Sequence, residues 1–408
     1  MHILQLCPRV PYPLHTGGAI AMYDVPAGLV RAGHRVTMLA INTPKHHQPA
    51  DALDHLGPNF RLVSVDVNTD ISASKALKNL LLSRQPYNVE RFISAEFGEK
   101  LLGILRTEEV DVVQMEGTFV AWYAEFLNRQ HRADFRVPPL VLRAHNVEYT
   151  IWQMLAKRES NPLKRFFLGT MAARLENFER RHLTQFDAVA AITDDDAQRL
   201  RSLGCPEPVL FIPAGVELSR FVPDPAIAVK PRTLFMIGSL NWMPNLEGLE
   251  WLLREVWPVF HAEVPDVELH VAGSGTPSSL LAARTDNVIV HGFVESASAF
   301  MQQYELMLVP LLSGGGMRIK IIEGMALGKP VLSTPLGAEG IAVRDGHDLL
   351  LRDSATAWLE ALRAWAGGEL PTAAIGAAAA HTAADLYDNR RVTQRFVDLY
   401  ERLQPVEA

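Results

Sequence analysis

The stretch SGGGMRIKIIEGMALGKPV, residues 313–331, joins three consecutive glycines to a run that starts with two cations and contains one glutamate. The apolar run LMLVPL precedes it, and its end merges into the apolar run KPVLSTPLG, so the pattern predicts a strand, a loop, a helix and a second strand. An ordinary turn needs one glycine, and each further glycine costs conformational entropy. Three glycines therefore indicate a loop that a ligand approaches closely, with successive N–H groups that suit an anion.

The same alternation of short apolar runs and helical stretches extends to both sides of this segment. The apolar runs are HILQLC, VTMLAIN, DVVQME, PLVLRAHN, DAVAAIT and VLFIPAG in the first half, and TLFMIGS, ELHVAGSG, VIVHGF, LMLVPL, KPVLSTPLG and DLLLR in the second. Runs without polar alternation are typical of parallel strands that are buried on both faces. Two such series predict an α/β protein with two doubly wound, parallel-sheet domains.

Four prolines within residues 213–233 place the domain boundary there. We therefore expect one domain over residues 1–212 and a second over residues 213–387. Residues 388–408 have apolar side chains at helical spacing, and we expect a closing helix that packs back onto the first domain. Open α/β sheets bind ligands at the carboxyl ends of their strands, so two facing domains would form a cleft there.

Composition narrows the functional classes. The 408 residues are 48% hydrophobic and 21% charged, which is ordinary for a globular protein. No uncharged apolar run reaches the roughly 18 residues of a membrane span, and MHILQLCPRV lacks the basic lead of a signal peptide, so we expect a cytoplasmic location. Cys7 and Cys205 are expected to be buried and without chemistry.

Residues 157–181 concentrate seven cations against three acids. Their excess contrasts with the formal net charge of −7 for the whole chain. The simpler interpretation is a solvated helix face, and the alternative is a contact with an anionic membrane or an acidic acceptor.

The strand ends of the first half carry two groups of candidate residues. Gly17 and Gly18 stand just ahead of a predicted helix, where backbone N–H groups favour an anion, although a plain turn is the alternative. No G-x-G-x-x-G motif is present, which counts against a nicotinamide enzyme.

The second group of candidates follows two neighbouring strands of the first half. His145, Asn146 and Glu148 follow the run PLVLRA, and Glu116 ends the preceding run. The alternatives are a structural role for the histidine and, for Glu116, a role in supporting other site residues or in simple capping. We expect all four side chains to face a ligand.

Loops at the strand ends of the second half point to one ligand. Arg318 and Lys320 add positive charge beside the glycines, and Glu323 is placed to accept hydrogen bonds from the two hydroxyls of a ribose. The alternative is a flexible loop with a solvated helix face. The pattern predicts a nucleotide-diphosphate site. Its further expected members are Gly238, Ser239, Asn241, Gly273, Ser313, Gly314, Gly315, Gly316 and Met317.

Four features of the chain carry a family resemblance: the string GGGMRIKIIEGMALGKPVLSTPLGAEGI, the GG loop, the RAHNVEY strand end and the GSLNWMPN turn. In these features the chain resembles the GT-B glycosyltransferases of family 4, also called glycosyl transferases group 1. The resemblance covers nearly the whole chain. It implies a GT-B fold with an acceptor-binding N-terminal domain and a C-terminal domain that binds a nucleotide sugar. Two departures stand out: Gly315 replaces the first of two family glutamates, and no cation follows Gly238 until Arg254.

The resemblance also implies roles for individual residues. Glu323 would bind the ribose, and Gly17 and Gly18 would face the diphosphate. His145 would contact the transferred sugar, while Arg318 or Lys320 would neutralise the leaving diphosphate; we expect these three residues to be catalytic. Glu116, Asn146 and Glu148 are expected acceptor or sugar contacts.

The function that the resemblance implies is transfer of a sugar to a hydroxyl acceptor with retention of configuration. It implies no metal and no other required cofactor beyond the nucleotide sugar as co-substrate. The acceptor would be a glycan, a lipid-linked or a small molecule, as in polysaccharide biosynthesis, with peripheral membrane contact through residues 157–181 and no nucleic acid partner. A nucleotide-sugar epimerase and a non-catalytic sugar-nucleotide or glycan-binding protein are the alternatives.

Overall fold

A computed structural model describes residues 1–14, 16–83, 85–130, 136–205, 208–277, 280, 287–314 and 317–404. The chain divides into two compact units. The first unit joins Met1–Gly215 with Val392–Ala408, and the second is Val216–Arg391. Each unit has its own sheet, in which all strands are parallel. Two doubly wound parallel-sheet α/β units confirm the predicted fold class.

The sheet of the first unit follows the order β3-β2-β1-β4-β5-β6-β7. Its strands are β1 (His2–Cys7), β2 (Arg35–Asn42), β3 (Phe60–Asp66), β4 (Val112–Glu116), β5 (Leu140–Ala144), β6 (Ala188–Ala191) and β7 (Val209–Phe211). Chain order reverses between β1 and β4, so the switch point where such sheets bind ligands lies beside these two strands. The sequence does not predict β3, because this edge strand mixes charged residues with apolar ones and is partly exposed.

Helices cover this sheet. They are α1 (Gly17–Arg31), α2 (Ala73–Leu82), α3 (Tyr87–Glu90), α4 (Ala95–Thr107), α5 (Trp122–Gln130), α6 (Glu148–Arg158), α7 (Pro162–Leu183) and α8 (Asp194–Ser202). Thr16 caps α1 by accepting a hydrogen bond from the Ala19 amide at 3.3 Å. The chain leaves α1 through Gly33, whose φ of +86° is a left-handed value that suits glycine.

The sheet of the second unit follows the order β10-β9-β8-β11-β12-β13. Its strands are β8 (Thr233–Ile237), β9 (Glu268–Ala272), β10 (Val288–Gly292), β11 (Leu306–Val309), β12 (Val331–Ser333) and β13 (Leu350–Leu351). Its switch point lies between β8 and β11. The later helices are α9 (Met243–Trp251), α10 (Trp257–Glu263), α11 (Ala297–Gln302), α12 (Ile319–Ala326), α13 (Ala355–Ala366), α14 (Thr372–Tyr387) and α15 (Asn389–Leu403).

The last helix, α15, closes the core of the first unit. Phe396 and Tyr400 are fully buried in the same apolar cluster as Ile3 and Val36 of the sheet. This is the closing helix that the sequence predicts. Within the described ranges, no helix is at once long enough and apolar enough to cross a bilayer.

Candidate active site

A cavity of about 600 Å³ lies at the carboxyl edge of the first unit's sheet. Residues that directly follow β1, β4 and β5 form part of its wall, so it lies at the switch point. Five of the predicted site residues line it: Gly18, Glu116, His145, Asn146 and Glu148. A concave site of this size that gathers several polar groups is typical of a small-molecule site.

His145 and Glu116 form a hydrogen-bonded pair in the wall of this cavity. The distance from His145 Nε2 to Glu116 Oε2 is 2.7 Å. The histidine side chain is 18% exposed and the glutamate side chain is fully buried. Because a carboxylate can only accept hydrogen bonds, Nε2 of His145 carries a proton, and Nδ1 is the ring nitrogen that Glu116 does not hold.

The other carboxylate oxygen of Glu116 is also occupied. Oε1 accepts hydrogen bonds from Gln5 Nε2 at 2.7 Å and from Gln114 Nε2 at 2.6 Å. Gln114 in turn accepts a hydrogen bond from the hydroxyl of Tyr400 on α15. Glu116 therefore orients His145 and accepts three hydrogen bonds within the protein, which favours the supporting role that the sequence leaves open over a ligand contact.

Glu116 stays ionised in this buried setting. Burial alone would raise its pKa, but the hydrogen bond from His145 and the charge of Arg143 outweigh burial and lower the pKa below the ordinary value. Arg143 is fully buried, donates to the carbonyl oxygen of Ala21 at 2.9 Å and lies 5.1 Å from the ring centre of Phe396. A charged carboxylate is the form that best accepts three hydrogen bonds.

The start of α1 adds a cation that the sequence analysis did not single out. Arg9, in the wall of the cavity, donates from Nη2 to the Thr16 hydroxyl at 2.8 Å. A Cβ at Gly18 would come no closer than 3.9 Å to this guanidinium, so the space beside the helix start is open. Together the helix N-terminus and Arg9 suit an anion. The sequence signal for Arg9 is its place in the loop that follows β1.

The start of α6 is capped by a buried glutamate from α7. Glu179 accepts hydrogen bonds from the amide of Glu148 at 2.9 Å, the amide of Tyr149 at 3.1 Å and the hydroxyl of Thr118 at 3.0 Å. Burial raises the pKa of Glu179 to about 7 although these hydrogen bonds lower it. Burial also raises the pKa of Glu148, which lines the cavity.

The predicted residues of the second unit gather at its own switch point. Lys320, in the first turn of α12, donates from Nζ to Asn245 Oδ1 at 2.8 Å. Asn245 Nδ2 donates to the carbonyl oxygen of Ser239 at 2.8 Å. A Cβ at Gly238 would lie 2.9 Å from Asn245 Nδ2 and 3.1 Å from Lys320 Nζ, so only glycine leaves room for this contact.

Packing within the protein explains two other glycines of this site. A Cβ at Gly273 would overlap the carbonyl oxygen of Gly238. At Gly314, with φ of +95°, it would lie 3.0 Å from the rings of both Trp242 and Pro244. These glycines let neighbouring loops approach each other. The sequence predicts room for a ligand at Gly314 and membership of the donor site for Gly273. Gly315 and Gly316 lie outside the described residues.

Two more predicted residues flank this loop. Ser313 donates a hydrogen bond to Glu247 of α9. Met317 and Arg318 precede α12, which begins at Ile319, so the helix starts later than the sequence pattern indicates. Asn241 packs against Gly275, at which a Cβ would overlap its side chain.

Burial shifts the pKa values of three side chains of this site towards their neutral forms. Burial lowers the pKa of Arg318 to about 10 and the pKa of Lys320 to about 7, and Arg318 adds to the second shift. Burial raises the pKa of Glu323 to about 7, against the attraction of Arg220 and Lys320. The Arg318 guanidinium lies 5.0 Å from the ring centre of Trp242. Clusters of groups whose pKa values are shifted in this way are typical of functional sites.

The carboxylate of Glu323 can accept hydrogen bonds from a ligand. In the part of the chain that the structure describes, no side chain donates a hydrogen bond to its carboxylate. Its acceptor capacity is thus available. Across the same residues, no group of three His, Cys, Asp or Glu side chains is placed to hold a metal ion.

Comparison with solved structures identifies the fold. Sucrose-phosphate synthase from Thermosynechococcus elongatus is 17% identical, with 99% of each chain covered and a TM-score of 0.72. A glycosyltransferase from Rickettsia africae is 15% identical, with 98% of each chain covered and a TM-score of 0.69. Anabaena HepE, solved with UDP, is 15% identical over 98% of this chain and 100% of that chain, with a TM-score of 0.67. At these identities the likeness is one of fold.

Sequence comparison identifies the family. A curated relative, an uncharacterized 44.6 kDa protein in the cps region of Klebsiella pneumoniae, is 23% identical over 220 residues. That match spans 52% of this chain and 55% of the relative. The family model "Glycosyl transferase 4-like domain" matches residues 16–215, and the model "Glycosyl transferases group 1" matches residues 231–366. With both units matched in this order on a GT-B fold, the chain belongs to the group 1 glycosyltransferases with a family 4-like N-terminal domain.

Proposed function

We propose that the protein moves a sugar from a nucleotide-diphosphate sugar to a hydroxyl acceptor. The observation that carries this proposal is the cluster of Arg318, Lys320 and Glu323 at the β8/β11 switch point, where two cations and one carboxylate are kept in surroundings that disfavour their charge. A diphosphate would offset the charge of the two cations, and the hydroxyls of a ribose would donate hydrogen bonds to the carboxylate. Anabaena HepE has been solved with UDP and with UDP-glucose, which favours a UDP-sugar as donor.

Each unit has its own part in this proposal. In the second unit Glu323 accepts hydrogen bonds from the ribose hydroxyls, while Arg318 and Lys320 face the diphosphate. The cavity of the first unit takes the acceptor and the transferred sugar. His145 contacts that sugar, and Glu116 fixes the orientation of its ring.

The chemistry breaks the bond between the anomeric carbon and the diphosphate oxygen. Negative charge then grows on the leaving diphosphate, where fixed cations stabilise it. Losing one such interaction typically costs about 2.7–4 kcal/mol of transition-state stabilisation. On the family resemblance we propose retention, with the acceptor hydroxyl attacking on the leaving-group face and a diphosphate oxygen taking its proton.

A donor screen tests the proposal. The full chain is incubated with UDP-, GDP- and dTDP-sugars, and its melting temperature is recorded for each. We expect one nucleotide class to raise the melting temperature and Glu323→Ala to abolish that rise. A melting temperature that no nucleotide shifts would contradict the proposed donor site.

Product analysis then separates the alternatives. The family models are those of transferases, so the epimerase hypothesis has no support from them. If the protein alters the sugar of a nucleotide sugar when no acceptor is present, the epimerase hypothesis is favoured. If the protein binds the donor but turns over no acceptor, a non-catalytic binding protein is favoured. NMR of the product distinguishes retention from inversion of the anomeric carbon.

For the acceptor we propose a chemical class and not a single compound. We propose a hydroxyl on a glycan, a glycolipid or a small molecule, in polysaccharide or glycolipid assembly at the cytoplasmic face of a membrane. The basic residues within 157–181 support a peripheral membrane contact.

A further inference from the structure

Two helices of the first unit start at the wall of the cavity and lead away from it. Thr69 and Ile71 line the cavity immediately before α2, and Asn146 and Glu148 line it at the start of α6. At 1.5 Å per residue, each of these two helices is about 15 Å long. A partner that binds along either helix is therefore within about one short helix length of the cavity wall.

Exposed apolar side chains are concentrated along α2, in the second half of α6 and at the start of α7. Among the described residues of the first unit, nine large apolar side chains are exposed, and eight of them fall within residues 71–82 and 154–166. The most exposed include Leu82 at 78%, Leu163 at 81% and Phe166 at 72%. Single exposed apolar residues are ordinary, but a concentration of this kind marks an interaction surface.

One arginine ties the end of α2 to α7. Arg174 of α7 donates to the carbonyl oxygen of Leu80 at 2.7 Å and to the side chain of Asn79 at 3.2 Å, so the end of α2 is tied to α7. Leu163 precedes Arg174 by eleven positions, about three helical turns, and so lies on the face of α7 that Arg174 directs at α2. The contact brings the end of α2 beside α7, and we call residues 71–82 and 154–166 together the docking surface.

The charges of the docking surface are almost all positive. Exposed cations stand among its apolar side chains: Lys75, Lys78, Lys157, Lys164 and Arg165. The segments 71–83, 149–158 and 160–175 contain no Asp or Glu. Glu159, the single acid between them, accepts a hydrogen bond from the Asn161 amide at 2.8 Å.

The cations near the other end of the basic stretch are engaged within the protein. Arg180 pairs with Glu176 at 3.2 Å, and Arg181 pairs with Glu125. The basic stretch of residues 157–181 is therefore not one uniform face. Only its first part stands among the exposed apolar side chains of the docking surface, and α2 contributes the other cations.

We propose that the docking surface inserts its apolar side chains into an anionic phospholipid bilayer, so that the acceptor of the proposed transfer reaches the cavity from a lipid anchor. This inference rests on the proposed function for the acceptor's role. Apolar side chains bury in the lipid interface while neighbouring Lys and Arg bind anionic headgroups, which is the composition of the docking surface. A protein partner with an acidic, apolar surface is the competing occupant.

Vesicle flotation tests the proposal with the full chain. Vesicles of phosphatidylcholine with phosphatidylglycerol are compared with vesicles of phosphatidylcholine alone. We expect the protein to float with the anionic vesicles, less so at high salt, and to stay behind with the neutral ones. The double variants Leu163→Ser/Phe166→Ser and Lys164→Glu/Arg165→Glu should each lower the bound fraction about tenfold.

A matched control uses exposed apolar residues elsewhere. Val222 and Val259 of the second unit are also exposed, and Val222→Ser/Val259→Ser should float as the wild type does. Equal binding to both vesicle types, or unchanged flotation of both docking-surface variants, would overturn the proposal. So would a concentration-dependent dimer that Leu163→Ser/Phe166→Ser abolishes, because the surface would then join two copies of the chain.

The test also separates this inference from the proposed function. Leu163→Ser/Phe166→Ser should leave the donor-induced rise in melting temperature unchanged, since the exchanged residues lie outside the donor site. If the wild type fails to respond to any nucleotide but still floats with anionic vesicles, the proposed function fails and the docking surface stands. The reverse result removes only the docking surface.

Discussion

At Lys320 the protein keeps an ammonium group in surroundings that disfavour its charge. Its pKa of about 7 lies below the ordinary 10.5, chiefly because of burial. The folded state is therefore penalised as pH falls from the ordinary value towards 7, by up to about 4 kcal/mol at neutral pH. We expect Lys320→Met to raise the melting temperature at pH 7, because the variant removes this penalty; the lost hydrogen bond to Asn245 makes the rise smaller. The same variant should lower kcat by about 10²-fold or more.

Lys329 provides the matched control for this variant. Its ammonium group is also buried and donates to the carbonyl oxygens of Gln302 and Tyr304 at 2.9 and 2.8 Å, directly before β12 and away from the switch point. Lys329→Met should change stability while the turnover of the folded enzyme stays as in the wild type. A parallel loss of stability and turnover in Lys320→Met would show that Lys320 is structural.

Glu323 gives a pH-dependent prediction. Burial raises its pKa to about 7, so the carboxylate becomes ionised, and a better acceptor for ribose hydroxyls, as pH rises through 7. Glu323→Gln keeps the shape of the side chain but cannot ionise. We expect the affinity advantage of the wild type over Glu323→Gln, measured by calorimetry with the donor nucleotide, to grow across this range to roughly 1.5–3 kcal/mol. An advantage that is constant with pH would contradict the ribose assignment.

At the scale of elements, α15 does more than fill the core. Its Tyr400 donates to Gln114, Gln114 donates to Glu116, and Glu116 holds His145. We expect Tyr400→Phe to lower kcat about tenfold, the equivalent of one hydrogen bond, and to alter the pH profile of kcat, with the KM of the donor unchanged. The pH profile is decisive, because a purely structural loss would not move it.

Gln404, which directly follows the same helix, is the control for Tyr400. It donates from Nε2 to the carbonyl oxygen of Asp111, just ahead of β4 and at the other edge of the sheet. Gln404→Ala should destabilise α15 slightly and leave the pH profile of kcat as it is in the wild type. If both variants give the same profile, Tyr400 does not act through His145.

The sequence predicts strands where apolar residues form a continuous run. Such runs reveal the fully buried strands β1 and β4 and also the partly exposed edge strand β10, whereas charged and polar residues interrupt the run in β3. His145 and Lys320 are predictable because they lie just beyond a strand or at a helix start. Tyr400 and Gln114 are 286 positions apart, and no local pattern predicts their contact.

At the scale of the whole molecule, the two units differ in how the chain builds them. The second unit is one continuous segment, Val216–Arg391, whereas the first needs Val392–Ala408 to complete it. Removing that last segment would uncover the apolar surface of the sheet that Phe396 and Tyr400 cover. The stability of the first unit should therefore depend on the end of the chain, and that of the second should not.

A chain that ends at Arg391 tests this dependence. In calorimetry we expect the transition of the first unit to be lost or to merge with aggregation, because the uncovered core removes much of a typical stability of about 5–15 kcal/mol. The second unit should keep its transition and the rise in melting temperature with the donor nucleotide, since Arg318, Lys320 and Glu323 remain in place. Phe396→Ala in the full chain should destabilise the same first transition by about 3–5 kcal/mol. Loss of the nucleotide response in the truncated chain would instead show that the donor site needs the first unit to form.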